Sequence, residues 1–167
     1  YPKSKQDQNW EPDFAESRLA DAAVFSAIQY FKQNPQIDYI SFSVQDSWSY
    51  PAEGKMGDYL KNYPNTKEGK FRGYTDAYIS FLNKLAERLK KELPANGITK
   101  PKTIVYIVYG NVRVVPKVKL NPAILPITVF HLAESIMDSL YNDNGLAQLS
   151  KFTKRIGNDD WAEGKGF

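Results

Sequence analysis

Hydrophobic residues recur with two different periods near the start of the chain. Between Arg18 and Phe31, apolar side chains fall three or four positions apart, which predicts one buried face of an α-helix ending at Asn34-Pro35. Between Tyr39 and Asp46, apolar and polar side chains alternate, which predicts a β-strand. The polar opening, residues 1–13, is interpreted as a loop.

The middle of the chain combines an irregular stretch with a second periodic one. Residues 47–73 contain four glycines and two prolines without a sustained period, which predicts a long loop of the kind that often carries function. A helix is predicted next, because apolar side chains from Tyr78 to Leu93 share one face while basic side chains surround the other. Pro94 and Gly97 are expected to end this helix.

The last third of the chain begins with a strand pattern. Thr103–Tyr109 is a continuous β-branched and aromatic run, typical of a strand buried on both faces of a parallel sheet. Three prolines within residues 110–126 exclude a long helix there. Ile127–Leu132 is predicted to be a third strand, and residues 144–156 a further helix.

Alternation of strands with helices predicts an α/β fold. Such an order favours a parallel sheet with right-handed crossovers, in which residues 39–45 and 103–109 form adjacent parallel strands. A closed (β/α) barrel takes eight strands and about 250 residues, so three strands are too few for one. Residues 1–167 are therefore predicted to be a single α/β segment of a larger (β/α) TIM-type barrel, completed by sequence on both sides.

Charge and composition narrow the choice of partners. The 22 basic and 19 acidic side chains leave a formal charge of +3, far below the dense basic field that binds a phosphate backbone, so nucleic acid is not expected as a partner. With no cysteine and one histidine, thiolate and histidine-rich metal sites are excluded, and an oxygen-ligated cation stays open without support. No metal site or cofactor is therefore expected. No apolar run approaches the roughly 20 residues of a membrane span. The pattern does not address the oligomeric state.

Candidate functional side chains follow the predicted strands, because ligands of parallel α/β folds bind at the carboxyl ends of the strands. After the first strand, Asp46 stands next to Trp48 and Tyr50. A carboxylate beside aromatic rings suits sugar recognition or glycosidic acid/base chemistry. The alternative for Asp46 is a cap or turn residue.

Two further groups follow the second and third strands. Tyr109, Asn111 and Arg113 offer a phenol, an amide and a guanidinium, and Arg113 is either a ligand for a substrate carboxylate or an ordinary surface side chain. His131 is a candidate for substrate binding, with a core or loop residue as the alternative. Glu134 is the positional candidate for a second catalytic carboxylate. Phosphate-loop, dinucleotide-binding and nucleophile-elbow motifs are missing from the chain.

Several ordered segments resemble an uncharacterised glycoside-hydrolase-like domain found in secreted polysaccharide-degrading proteins of bacteria. The resemblance covers about residues 9–155 and rests on short motifs at residues 9–12, 30–35, 40–46, 81–86, 120–122 and 126–129. One departure is that many members carry closely spaced cysteines in the loop after the strand-end Asp, where this chain has Trp48 and Tyr50.

The resemblance implies a (β/α) barrel distantly related to the catalytic domains of α-glucuronidases and β-hexosaminidases. It also implies a carbohydrate substrate, a secreted, periplasmic or cell-surface bacterial location, and a role for Asp46 as the family's strand-end Asp. Two functions stay open: a glycoside hydrolase acting on a polysaccharide or oligosaccharide, or a non-catalytic carbohydrate-binding or structural α/β segment. In a third interpretation the aromatic residues belong to the core of a scaffold.

Overall fold

The computed structural model describes residues 11–44, 53–62, 67–112 and 114–128. These residues form, in chain order, α1 (Ser17–Gln33), β1 (Tyr39–Ser41), α2 (Gly54–Lys61), α3 (Lys67–Ala95), β2 (Thr103–Val108), a 3-10 turn (Gly110–Val112) and β3 (Ile124–Thr128). Among the described helices, none is both long and apolar enough to cross a membrane.

The three strands form one parallel sheet in the order β1-β2-β3. Tyr39 of β1 pairs with Thr103 of β2, and Ile104 of β2 pairs with Ile124 of β3. The expectation that the first two strands are adjacent and parallel is therefore confirmed. The fold of the described residues is broadly α/β, and closure of the sheet into a barrel stays a prediction.

Helix α1 has the buried face that its periodicity predicts. The side chain of Glu16 caps the helix by accepting a hydrogen bond from the Arg18 amide at 3.2 Å. That bond, followed by the hydrogen bond from Lys55, holds the pKa of the Glu16 carboxyl below its ordinary value. At the other end, the backbone and side-chain N–H groups of Asn34 both donate to the Tyr30 carbonyl at 2.9 Å. The helix ends at Gln33, directly before Asn34-Pro35, as expected.

Helix α3 is the longest element and has two differently buried halves. From Gly73 to Ile79 every side is buried, whereas further along the apolar side chains Leu82, Leu85, Leu89 and Leu93 lie inward and the lysines lie outward. The helix ends at Ala95, so Pro94 lies inside its last turn instead of ending it, whereas Gly97 follows the end as predicted. Gly97 adopts a φ of +79°, and the Ile98 amide donates to the Leu93 carbonyl at 3.0 Å, closing the last turn.

The prediction of a loop through residues 47–73 is wrong for residues 54–61 and 67–73, because α2 and the first residues of α3 lie there. Glycines do not break these helices, since Gly54 begins α2 with a φ of +65° and Gly73 is buried inside α3. Helix α2 buries a single residue, Met56, whose amide donates to the Asp13 carboxylate at 3.2 Å. Tertiary contacts that no local period reveals therefore stabilise α2.

The bounds of two strands also differ from the predictions. β3 begins at Ile124 rather than Ile127 and includes Pro126, which an edge strand accommodates when the position of the missing amide faces away from the neighbouring strand. β1 ends at Ser41, although the Phe42 amide still donates to the Val105 carbonyl at 2.9 Å, and the following bond is made to a side chain. The Ile107 amide donates to the Ser43 hydroxyl oxygen at 3.2 Å instead of to a β1 carbonyl.

The two faces of the sheet have different surroundings. Ile40, Ile104 and Tyr106 lie on the face that packs against α1 and α3. On the other face, Tyr39 is 59% exposed and Ile127 is 41% exposed. The described helices therefore cover one face of a parallel sheet, although parallel sheets are ordinarily covered on both.

Tyr78 of α3 joins the helix layer to the sheet. Its ring meets that of Tyr106 in β2 edge to face, with centroids 5.4 Å apart, and that of Phe14 at 4.9 Å. Its hydroxyl donates a hydrogen bond to the Phe42 carbonyl just after β1. The Tyr106 hydroxyl is buried without a hydrogen-bond partner in the described structure, and burial raises the pKa of Tyr106. In the described structure the Tyr78 hydroxyl is thus hydrogen-bonded, and the hydroxyl of the neighbouring Tyr106 is not.

We expect Tyr78→Phe to lower the free energy of unfolding by about 1 kcal/mol, because the substitution removes the hydrogen bond to Phe42 and leaves the ring packing intact. Tyr106→Phe is the matched control. It should leave the free energy of unfolding unchanged or raise it, since it removes a buried hydroxyl that has no partner. Urea unfolding followed by circular dichroism measures both values, and equal losses would contradict the assignment.

Candidate functional site

The carboxyl edge of the sheet is the place where ligands of parallel α/β folds bind. After β1, the chain continues through Ser43, whose hydroxyl oxygen accepts from the Ile107 amide and lies 2.9 Å from the Ser41 hydroxyl oxygen. After β2, the chain passes through Tyr109 into the 3-10 turn. The described part of this edge therefore presents hydroxyl, phenol and amide groups.

Asn111 in the 3-10 turn carries the clearest sign of an unused binding group. The residue is 4% exposed, and its backbone carbonyl accepts a hydrogen bond from the Thr75 hydroxyl at 3.4 Å. The side-chain amide oxygen is buried and has no hydrogen-bond partner in the described structure. A buried amide oxygen without a donor is unfavourable, so this atom can accept a hydrogen bond from a ligand or a water molecule.

Asp76 of α3 fixes the loop that follows the 3-10 turn, and sequence reasoning missed it. The carboxylate is 1% exposed and accepts a hydrogen bond from the Lys117 amide at 2.7 Å. Together with the bond from Thr75 to Asn111, it fastens the turn and the loop that follows it to the buried segment of α3 from Gly73 to Ile79. The signal that could have found it is an acidic residue among apolar neighbours, between Tyr74 and Tyr78.

The polar side chains named at the described edge, those of Ser43, Tyr109 and Asn111, are hydroxyl, phenol and amide groups, and none of them is a carboxylate or an ammonium group. The carboxylate of Asp76, the residue after Thr75 in α3, is buried and accepts a hydrogen bond from the Lys117 amide. Burial raises the pKa of Tyr74, which strengthens the preference of that phenol for its neutral form. Groups of this kind form directional hydrogen bonds with neutral polar ligands and offer little attraction to an anion.

The described structure contains two of the eight side chains that the sequence singled out. Tyr109 is half-buried, engaged in an interaction, and directly follows β2, while Asn111 lies two residues further on. The other six candidates lie outside the described residues: Asp46, Trp48, Tyr50, Arg113, His131 and Glu134. The described residues contain no group of three or more His, Asp and Glu side chains placed to hold a metal ion.

Comparisons with known proteins add no relative. No protein-family model, no curated protein and no solved structure matches this chain. The resemblance to glycoside-hydrolase-like domains therefore stays a prediction, and the interpretation of the site rests on the residues of this chain.

We expect Asp76→Ala to lower the free energy of unfolding by about 2–3 kcal/mol, because it leaves the Lys117 amide without its acceptor and opens a small cavity. Asp76→Asn keeps an acceptor oxygen and should lose less. The control is Asp58→Ala, which breaks an exposed ion pair with Lys61 and should cost at most about 1 kcal/mol. Urea unfolding of the three variants tests the ranking, and an Asp76→Ala loss no larger than that of Asp58→Ala would refute it.

Proposed function

We propose that this chain is the carbohydrate-binding part of a glycoside-hydrolase-like domain, with its site at the carboxyl edge of the sheet. The observation that carries the proposal is the buried amide oxygen of Asn111, which lacks a partner at the end of the central described strand. A sugar hydroxyl is a donor of suitable size and charge for such an acceptor.

The arrangement of the strands supports placing the site within a (β/α) barrel. The strand–helix–strand order of β1, α2, α3 and β2, with the described helices on one face of a parallel sheet, supports that architecture, whereas the described connection from β2 to β3 lacks the α-helix of a regular unit. In a barrel the second face of the sheet, which bears Tyr39 and Ile127, would point to the interior. Both residues are exposed in the described structure.

The chemistry of the described edge favours a neutral polar ligand. Ser43 and Asn111 supply hydroxyl and amide groups, and Tyr109 supplies an aromatic ring of the kind that packs against the apolar face of a sugar. The amide of Asn111 can accept from one sugar hydroxyl and donate to another. Trp48 and Tyr50, which follow the first strand in sequence, are proposed to add stacking surfaces.

Hydrolysis would require two carboxyl groups, for which we propose Asp46 and Glu134. One carboxylic acid donates its proton to the leaving glycosidic oxygen. The other carboxylate either attacks the sugar, at a carboxyl separation of about 5–5.5 Å, or removes a proton from an attacking water, at about 6.5–9.5 Å. Arg113 and His131 are proposed to hold substrate polar groups beside them. No metal or cofactor takes part in this scheme.

A non-catalytic carbohydrate-binding function is the second candidate, and one observation favours it. Asp76 directly follows Thr75, the residue of α3 that bonds to Asn111. Its carboxylate is buried and accepts a hydrogen bond from the Lys117 amide. It is therefore committed to holding the loop. The described edge contributes binding groups alone, and catalysis depends on Asp46 and Glu134.

We expect Asn111→Ala to weaken binding of an oligosaccharide ligand at least tenfold, because one hydrogen bond to a sugar in a buried position is lost. Loss of the side-chain oxygen removes no hydrogen bond within the described structure, and a thermal unfolding curve of the variant checks that the fold survives the small cavity that this buried residue leaves. A glycan array selects the ligand, and calorimetry measures the dissociation constant. Asn62→Ala, at the exposed end of α2, is the matched control and should bind like the wild type. Unchanged affinity of Asn111→Ala would exclude this residue from the site.

We expect Asp46→Asn to lower the rate of sugar release by orders of magnitude while leaving binding intact, because it removes a proton-transfer group with almost no change in volume. Glu134→Gln should behave in the same way, and Trp48→Ala should weaken binding instead. A reducing-sugar assay on the complete protein provides the measurement. Binding without hydrolysis in the wild type would select the non-catalytic function, and wild-type rates in both carboxyl variants would reject these two residues.

A further inference from the structure

A separate groove lies at the opposite end of the sheet, where β2 and β3 begin. It encloses about 480 Å3 between the last turns of α3 and the segments that lead into the two strands. Its floor consists of the buried side chains of Leu89, Leu93 and Ile104. The volume lies within the range of roughly 300–1,000 Å3 that small-molecule sites occupy.

The groove exists because the connection from β2 to β3 is not a helix. In a regular parallel unit a crossover helix packs over both strands. Here the described part of the connection has a 3-10 turn and an extended loop whose Leu120 is buried in the core. Near the amino ends of β2 and β3, the apolar residues of α3 therefore line a cavity that no described helix covers.

Hydrogen bonds hold both walls of the groove in place. On one wall, the Asn83 side chain donates to the Lys119 carbonyl and accepts from the Asn121 amide, each at 2.8 Å, which ties the loop to α3. On the other wall, the turn at Gly97 is closed by the bond between Ile98 and Leu93. A preformed cavity loses little conformational entropy when a ligand enters it.

The charge around the groove is positive. Three of its fourteen lining residues are lysines, and none is acidic. The Lys102 side chain is 2% exposed and donates to backbone carbonyls and to Asp38, while Lys100 forms an ion pair with the same carboxylate. Lys90 is exposed and has no ion pair in the described structure. The ammonium group of Lys90, which is not paired with a carboxylate in the described structure, therefore lies beside the apolar floor of the groove.

We propose that this groove binds a long-chain carboxylate, with its aliphatic chain on Leu89, Leu93 and Ile104 and its carboxylate beside Lys90. The apolar floor favours a hydrocarbon chain. The ammonium group of Lys90 matches a single negative charge. This site is independent of the carboxyl edge, because it lies where the strands begin rather than where they end.

Titration of the 167-residue chain with dodecanoate, followed by amide chemical shifts, tests the proposal. Amides of residues 98–100, 102–104, 121, 123 and 124 should shift, and dodecyltrimethylammonium, which has the same chain and the opposite charge, should bind at least tenfold more weakly. Lys90→Glu should weaken dodecanoate binding at least fivefold. Lys91→Glu alters the next exposed position of the same helix, outside the groove, and should change affinity less than twofold.

A steric variant separates this groove from other apolar surfaces. Ala123 is exposed and lines the groove, so Ala123→Trp should fill it and lower affinity at least tenfold while thermal unfolding stays close to that of the wild type. Absence of binding, equal effects of Lys90→Glu and Lys91→Glu, or shifts confined to the exposed sheet face would each overturn the proposal. Concentration-dependent dimerisation that dodecanoate does not reverse would assign the groove to a second copy and overturn it as well.

Discussion

The packing of α3 against β2 is the contact on which the rest of the described structure depends. Tyr78 touches Phe14, which precedes α1, and Tyr106 in β2, and its hydroxyl holds the Phe42 carbonyl after β1. Beside that carbonyl, the Ile107 amide donates to the Ser43 hydroxyl oxygen instead of to a β1 carbonyl. One side chain thus contacts the segment before α1, the central strand and the backbone that follows β1, where the carboxyl edge begins.

Periodicity predicted the elements whose surroundings differ between two sides. Helix α1 and the second half of α3 each have one apolar face and one solvent-exposed face, so hydrophobic periodicity predicts their buried residues correctly. Periodicity predicts no element where that contrast is missing. The stretch from Gly73 to Ile79 is buried all round, and α2 buries Met56 alone, so neither displays a stripe. The start of β3 at Ile124 was not predicted because Pro126 lies inside the strand. Proline is excluded from central strands, whereas an edge strand such as β3 accommodates it.

The candidate site was predictable where it depends on topology and hidden where it depends on distant contacts. Asn111 could be named because polar residues directly after a strand lie at the carboxyl edge. Its unpartnered oxygen could not be foreseen, since the groups around it come from α3. Asp76 was missed for the same reason, as it bonds to Lys117, 41 positions along the chain.

The connection between β2 and β3 shapes both ends of the sheet. At the carboxyl end it turns at once into the 3-10 segment, and its bonds to Thr75 and Asp76 keep Asn111 against α3. At the amino end it returns as an extended loop tied to Asn83, and Leu89 lines the groove beside it. A crossover helix in its place would cover the groove and would carry the chain away from Thr75 and Asp76. The polar edge and the apolar groove are therefore two consequences of one connection without an α-helix, which explains why they occur together at opposite ends of the same strand.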